Sequence, residues 1–196
     1  MQNNRKTFFS SDHHFGHANV IKYADRPFKD VSEMDSQMIE RHNSVVSKSD
    51  IVYFVGDFAF YSDPEKIIKI LNKMNGEKHF IAGNHDRGLF KDENIIKCFQ
   101  TFSRAPIKEI YVPDASVRGG KQSITLCHYA MRVWNKSHHG AFHLYGHSHG
   151  SLPEDPNSLS FDIGVDAWNY YPVSYEEVKE EMSKKTWKAI DHHGRD

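Results

Sequence analysis

Residues 51–57 read Ile51-Val52-Tyr53-Phe54-Val55-Gly56-Asp57, five apolar residues without a break, then a glycine and a carboxylate. A strand with one wet face alternates apolar and polar residues. An unbroken run of this length is instead the pattern of a strand covered on both faces, as in the parallel sheets of α/β proteins. Thr7-Phe8-Phe9 before it and His79-Phe80-Ile81-Ala82 after it are two further strand candidates. The segments between them carry the helical period. Met34, Met38, Ile39, Val45 and Val46 fall on one stripe behind the cap candidates Asp30 and Ser32. Ile67, Ile68 and Leu71 form the buried face of a second helix; Ser62 and Glu65 have capping-box spacing, Pro64 suits the first turn, and Asn75-Gly76 closes it. The first half therefore reads strand, helix, strand, helix, strand, the order of βαβ units. Four more strand candidates follow, Ile107 to Val112, Ile124 to Cys127, Phe142 to Tyr145 and Leu159 to Val165, expected as a meander packed on the first sheet. Ser174 and Glu177 repeat the capping box near the C-terminus, with Val173 and Val178 at hydrophobic-staple positions. The expected fold class is α/β, with residues 1–196 as a single domain.

Composition sets outer limits on function. Hydrophobic residues make up 38% and charged residues 26% of the 196, which provides a core and argues against wholesale disorder. No apolar run approaches the roughly 18 residues of a membrane span, and the polar start, Met1 to Arg5, lacks a signal-peptide core. A cytoplasmic protein with no membrane partner is expected. The two cysteines, Cys98 and Cys127, are too few for a disulfide framework and are expected to be buried, free and non-catalytic. A net charge of −1 argues against coating extended nucleic acid through a broadly basic face. The 14 histidines stand out, because histidine is the commonest metal ligand.

The residues that follow each apolar run carry the chemistry. Thr7-Phe8-Phe9 leads to Asp12 and His14, the run at 51–55 to Gly56-Asp57, and the run ending at Ala82 to Gly83-Asn84-His85-Asp86. Cys127 leads to His128, and Leu144-Tyr145 to Gly146-His147-Ser148-His149. Any one of these alone reads as a turn or a helix cap. Together they place carboxylate, amide and imidazole groups at five strand ends, the edge where open α/β sheets bind ligands. Asp12, His14, Asp57, Asn84, His128, His147 and His149 offer oxygen and nitrogen donors without a thiolate, a set suited to Mn, Fe, Ni or Zn. Seven donors are too many for one catalytic ion. They suit two ions about 3.5–4 Å apart sharing a carboxylate, the arrangement used for in-line displacement at phosphorus.

These five ordered motifs resemble those of the calcineurin-like metallophosphoesterases, over residues 12 to 149. Ser11-Asp12-His13-His14-Phe15-Gly16-His17-Ala18-Asn19-Val20-Ile21 with Arg26-Pro27-Phe28 further resembles a subgroup of small bacterial and phage phosphoesterases. The resemblance implies a four-layer α/β/β/α sandwich and a dinuclear phosphohydrolase using a metal-bridging hydroxide. Asp12, His14, Asp57 and His149 would hold one ion and Asp57, Asn84, His128 and His147 the other, with Asp57 bridging and manganese the expected metal. His85 would be the general acid, and Asp86 would orient it by a hydrogen bond. Gly56-Asp57 is followed by Phe58-Ala59-Phe60 rather than Asp-Arg-Gly, which sets the chain apart from Ser/Thr protein phosphatases. His17 either faces the substrate phosphate or caps a helix. Arg26 either contacts phosphate or packs a turn, and Arg132 and Trp134 are candidates to line the substrate site. A phosphodiesterase acting on a small or end-bound phosphate ester is the leading expectation; a phosphomonoesterase and a non-catalytic scaffold of the same fold are the alternatives. Of the remaining histidines, His13 is expected to point away from the metals. His138, His139 and His143 would border the site, and His192 and His193 would lie in a solvated tail.

Overall fold

The structure is a computed structural model that describes residues 5–191; His192 and His193 lie outside the described residues. The run at 51–55 is a strand, as its pattern demands. It is β2 (Ile51–Val55), the middle of a five-stranded sheet with β1 (Thr7–Ser10), β3 (Glu77–Ile81), β4 (Thr101–Ser103) and β9 (Val173–Ser174) in the order β4-β3-β2-β1-β9. β1 to β4 are parallel and β9 runs antiparallel to β1. Alternation along these strands splits their side chains between two cores. Phe8, Val52, Phe54 and Phe80 face one apolar cluster, and Phe9, Val55 and Ile81 the other. Each such buried side chain contributes about 1.5–3 kcal/mol.

Helices cover the first face. α2 (Val31–Val45) buries Met34 and Met38, and α3 (Pro64–Lys73) buries Ile67, Ile70 and Leu71, all in the first cluster. Asp30 caps α2 as expected, but α3 is capped by Asp63 rather than Ser62. The Asp63 carboxylate accepts the Glu65 N–H at 3.0 Å, with Pro64 already in the first turn. Short helices α1 (Ala18–Tyr23) and α4 (Glu93–Lys97) complete this side. The second cluster lies between the first sheet and a second one, β5 (Ile107–Pro113), β6 (Lys121–Cys127), β7 (Phe142–Tyr145) and β8 (Ser160–Asp162), in sequential order. α5 (Tyr175–Ser183) carries the expected Ser174/Glu177 capping box and sends Tyr175, Val178 and Met182 into that cluster.

The second sheet is not a meander. Only β5 and β6 are antiparallel, whereas β6 pairs β7 and β7 pairs β8 in parallel. A meander needs tight turns, and the long segments 128–141 and 146–159 instead carry the chain back to the same end of the sheet. The consequence is functional: β1, β2 and β3 in one sheet and β6, β7 and β8 in the other each end on a common edge. A parallel bridge between Ser11 and Gly164, with Val165 N–H donating to Ser11 O at 3.1 Å, joins the two sheets there. Among the described residues, no helix is long and apolar enough to cross a membrane.

Candidate metal centre

The loops leaving these strand ends bring all seven expected donors to one place. Two groups of side chains could hold a metal ion, Asp12–His14–His149 and Asp12–Asp57–His128. One Asp57 oxygen, Oδ2, lies 3.7 Å from His14 Nε2 and 3.5 Å from His128 Nε2, between the two groups. Asn84 and His147 complete the second: Asn84 Oδ1 is 2.9 Å from His128 Nε2 and 3.1 Å from His147 Nδ1. Asp57 stands where a bridging carboxylate is expected, and Asp12, expected on one side only, reaches both groups.

The backbone is shaped around these residues. Asp12, His14, Asp57, His147 and His149 all have φ between 48° and 70°, the left-handed region that non-glycine residues seldom occupy. Such conformations persist only where surrounding structure enforces them, and they concentrate at functional sites. The enforcement is visible: Asp12 N–H donates to Gly56 O at 3.1 Å and His14 N–H to Asp57 O at 3.0 Å. Close approach also explains two glycines. A methyl group at Gly56 would run into the His128 ring, and one at Gly83 into the Asp57 carboxylate.

Burial fits a cation. Asp12 Oδ1 and both ring nitrogens of His14 are buried without a hydrogen-bond partner, a state costing about 1–3 kcal/mol per group in an uncharged interior. Burial raises the Asp12 carboxyl to about 7, against the pull of His128 and His149, and lowers His14 to about 3. Burial acts against both members of the Asp57–His128 pair, but their mutual hydrogen bond and attraction prevail. Asp57 is held below the usual carboxylate range and His128 is raised to about 9. A divalent ion placed among these groups would take up Asp12 Oδ1 and one His14 nitrogen and offset the crowding of buried carboxylates. Oxygen and imidazole donors without thiolate fit Mn, Fe, Ni or Zn.

Ring tautomers are set from behind. His128 Nδ1 is 3.0 Å from Val55 O, leaving Nε2 for the site, and His149 Nδ1 is 2.7 Å from Asp166 Oδ2. Asp166 follows the run Leu159 to Val165 and so repeats, at a sixth strand end, the signal read at five; the sequence reading missed it. Of the two alternatives open for Arg26, the packing one holds. The residue is 4% exposed and turned inward, where Nε and Nη2 bind the two Asp166 oxygens, each at 2.8 Å, so it is no phosphate contact.

Asp86 is a correction. Its carboxylate is fully buried and accepts backbone N–H groups of Gly83, Asp57 and Phe58 at 2.6, 2.7 and 2.9 Å, rather than the His85 ring. It ties the β2 loop to the β3 loop, and burial raises it to about 6. His85 itself is exposed at the mouth of the site. Its N–H donates to Asp57 Oδ1 at 2.9 Å, and its ring lies 6.0 Å from that of His14 and 5.0 Å from Phe60. His17 occupies the N-cap position of α1 but makes no side-chain capping bond. Its ring stacks on Phe60 at 4.1 Å and lies 5.6 Å from His14.

Two other candidates, Trp134 and His143, are structural. Trp134 is buried, donates to Ala141 O at 2.9 Å and packs on His143, which accepts the Met131 N–H, so neither lines the centre. Arg132 is exposed, and His138 and His139 lie in a 3-10 turn. His13 points away as expected, packed among Phe15, Phe54 and Phe58. Cys127 is buried and free; Cys98, expected to be buried, is half-exposed at the end of α4.

Three comparisons place the chain among known proteins. No family model matches it. In the solved structure of the protein of unknown function AQ665 from Aquifex aeolicus the fold recurs with a TM-score of 0.65 at 19% identity, over 90% of this chain and 99% of that one. The Gene 66 proteins of Mycobacterium phages L5 and D29 are 27% and 26% identical, each over 88% of this chain and 91% and 94% of their own lengths. The uncharacterized protein MJ1445 of Methanocaldococcus jannaschii is 32% identical over 186 residues, 92% of this chain and 93% of its own length, so the chain belongs to the family that includes that archaeal protein.

Proposed function

We propose that the protein is a dinuclear metal-dependent phosphohydrolase, a phosphodiesterase, with the calcineurin-like metallophosphoesterase arrangement of its site. The observation that carries this reading is the position of Asp57 Oδ2, which faces His14 Nε2 at 3.7 Å and His128 Nε2 at 3.5 Å. One carboxylate oxygen aimed at imidazoles of both donor groups is what two ions sharing a ligand require. The fold part of the reading is the α/β/β/α sandwich. Helices on one face of the first sheet and a core shared by the two sheets support it.

Asp12, His14, Asp57 and His149 would hold one ion and Asp57, Asn84, His128 and His147 the other. When bound, such a pair supplies Lewis-acid polarisation of a phosphoryl oxygen and an activated water. The chain's own residues do the rest. His85, exposed beside His14 and anchored through its backbone N–H to Asp57, would give a proton to the leaving oxygen. Asp86 fixes the loop that presents His85 by binding the backbone on either side of the site. His17, stacked on Phe60 against the same opening, supplies a second imidazole toward the phosphate. The site lies on an open edge of the sheets, and the net charge of −1 provides no broadly basic track beside it, which supports a small or end-bound phosphate ester.

The test is turnover of bis-p-nitrophenyl phosphate and p-nitrophenyl phosphate by chelated protein with and without added manganese. Metal-dependent turnover, faster on the diester, is expected. No turnover of either contradicts hydrolase function, and a strong preference for the monoester overturns the diesterase assignment.

A further inference from the structure

Arg26 and Asp166 form a buried ion pair that no chemical step uses. Their side chains are 0% and 6% exposed, and both guanidinium-to-carboxylate contacts are 2.8 Å. A pair of this kind recovers little net stability, because taking both charges out of water costs about what their attraction returns. Its value therefore has to be sought in what it orients. Asp166 Oδ2 also stands 2.7 Å from His149 Nδ1. Arg26 also donates to two backbone carbonyls, Nη1 to His13 O at 2.8 Å and Nη2 to Asp12 O at 2.7 Å, besides a 3.5 Å contact of Nη1 with Met34 Sδ. One guanidinium thus grips the backbone that presents Asp12 and His14 and the carboxylate that backs His149. Those three residues are the members of one donor group.

We propose that Asp166, braced by Arg26, is the positioning residue of the Asp12–His14–His149 subsite, fixing the tautomer and aim of His149. This rests on the metal-centre reading above. A neutral imidazole has one N–H and one bare nitrogen. A carboxylate accepting at Nδ1 keeps the proton there, so Nε2 is bare and turned toward Asp12 and His14. A carboxylate behind a ligating imidazole also makes it a stronger donor. His128, in the other group, has the weaker version of the device, the neutral Val55 carbonyl at 3.0 Å. Asp166 makes no hydrogen bond to Asn84, His128 or His147, so its effect falls on the subsite of His149, whereas Arg26 also holds the backbone of Asp12, a member of both groups. The 140-residue separation of Arg26 and Asp166 in sequence is closed by the bridge of Ser11 to Gly164, which sets the two loops side by side.

The experiment is manganese binding by equilibrium dialysis on full-length wild type and Asp166→Asn, with circular dichroism of both metal-free proteins. The substituted amide keeps the shape and loses the charge. Wild type is expected to bind two ions per chain, and the variant to keep one with unchanged affinity while the other weakens about 10–100-fold. Arg26→Lys, which keeps the charge and loses the fork, is expected to weaken the same ion by less, and serves if Asp166→Asn does not fold. Nitrogen-15 NMR of histidine-labelled metal-free protein, at a pH where the ring is neutral, gives a second readout. His149 should carry its proton on Nδ1 in wild type and lose that preference in Asp166→Asn. Two ions bound by the variant with wild-type affinities, or loss of both together in a folded variant, overturns the proposal. A wild type that binds no metal overturns the metal-centre reading instead, and the tautomer measurement then still decides the role of Asp166.

Discussion

On the side of the centre fed by β3 and β6, Asn84 Oδ1 lies 2.9 Å from His128 Nε2 and 3.1 Å from His147 Nδ1, so three donors satisfy one another. On the side fed by β1, Asp12 Oδ1 and both nitrogens of His14 are buried with no partner, and the support comes from behind, through Arg26 and Asp166. Both sides offer oxygen and imidazole donors, an amide on the first and a carboxylate on the second. The contrast teaches that convergence of ligand types is one property and preorganisation another. The first side must give up hydrogen bonds to take an ion; the second holds its donors apart and open, at a cost an ion would relieve.

Asp57, standing between the two sides, provides the largest expected effect. Asp57→Ala should abolish binding of both ions and reduce turnover by more than the roughly 100-fold loss typical of a supporting residue. If metal analysis finds one side still occupied at full affinity, the shared position of Asp57 is refuted. His85→Ala comes next and separates chemistry from metal holding. Turnover should drop about 10²–10⁴-fold with both ions retained. Full activity in that variant would remove His85 from the mechanism.

A pH series sharpens the contrast further. Burial raises Asp12 from its ordinary 3.8 to about 7, and its carboxylate neighbours raise His128 from 6.5 to about 9 despite burial. A group whose folded-state value is raised stabilises the fold below its unfolded value, and that contribution is lost as pH climbs through the folded one. The Asp12 contribution is therefore gone by about pH 7, and through His128 the metal-free protein should melt at progressively lower temperature between pH 6.5 and 9. Manganese should protect increasingly over that interval, because bound metal replaces the protons those ligands release. A metal-free melting temperature that is flat or rising over that range would contradict the stated direction. The smallest effect is expected far from both sides: Ser174→Ala, removing the α5 cap, should cost about 1 kcal/mol in denaturant melts while metal content is unchanged.

What could be read from sequence follows from the range of the interactions involved. The run 51–55, the Met34 and Met38 positions of α2 and the Ser174–Glu177 box depend on neighbours within a helical turn or a strand, so local spacing reveals them; Val45, read onto the same stripe, is exposed. The seven donors were legible because each stands just past an apolar run and belongs to a residue type that metals require. β4 and β9 were missed because three- and two-residue edge strands leave no pattern. The parallel course of β6, β7 and β8 depends on long loops whose path no periodicity encodes. The resemblance implies Asp86 as a partner for His85; its partners are the backbone amides of Gly83 nearby and of Asp57 and Phe58, nearly 30 positions back. Arg26 was ambiguous because its decisive partner lies 140 residues away, and Asp166 showed the strand-end signal without a neighbouring glycine–histidine motif to draw attention to it.

The central claim is that these seven side chains hold two ions that share Asp57. Inductively coupled plasma mass spectrometry of manganese-reconstituted, desalted wild type beside Asp57→Asn tests it most directly. Two manganese ions per wild-type chain, with neither retained at wild-type affinity in the folded variant, is the predicted result. One ion or none in wild type, or two in the variant, would contradict it.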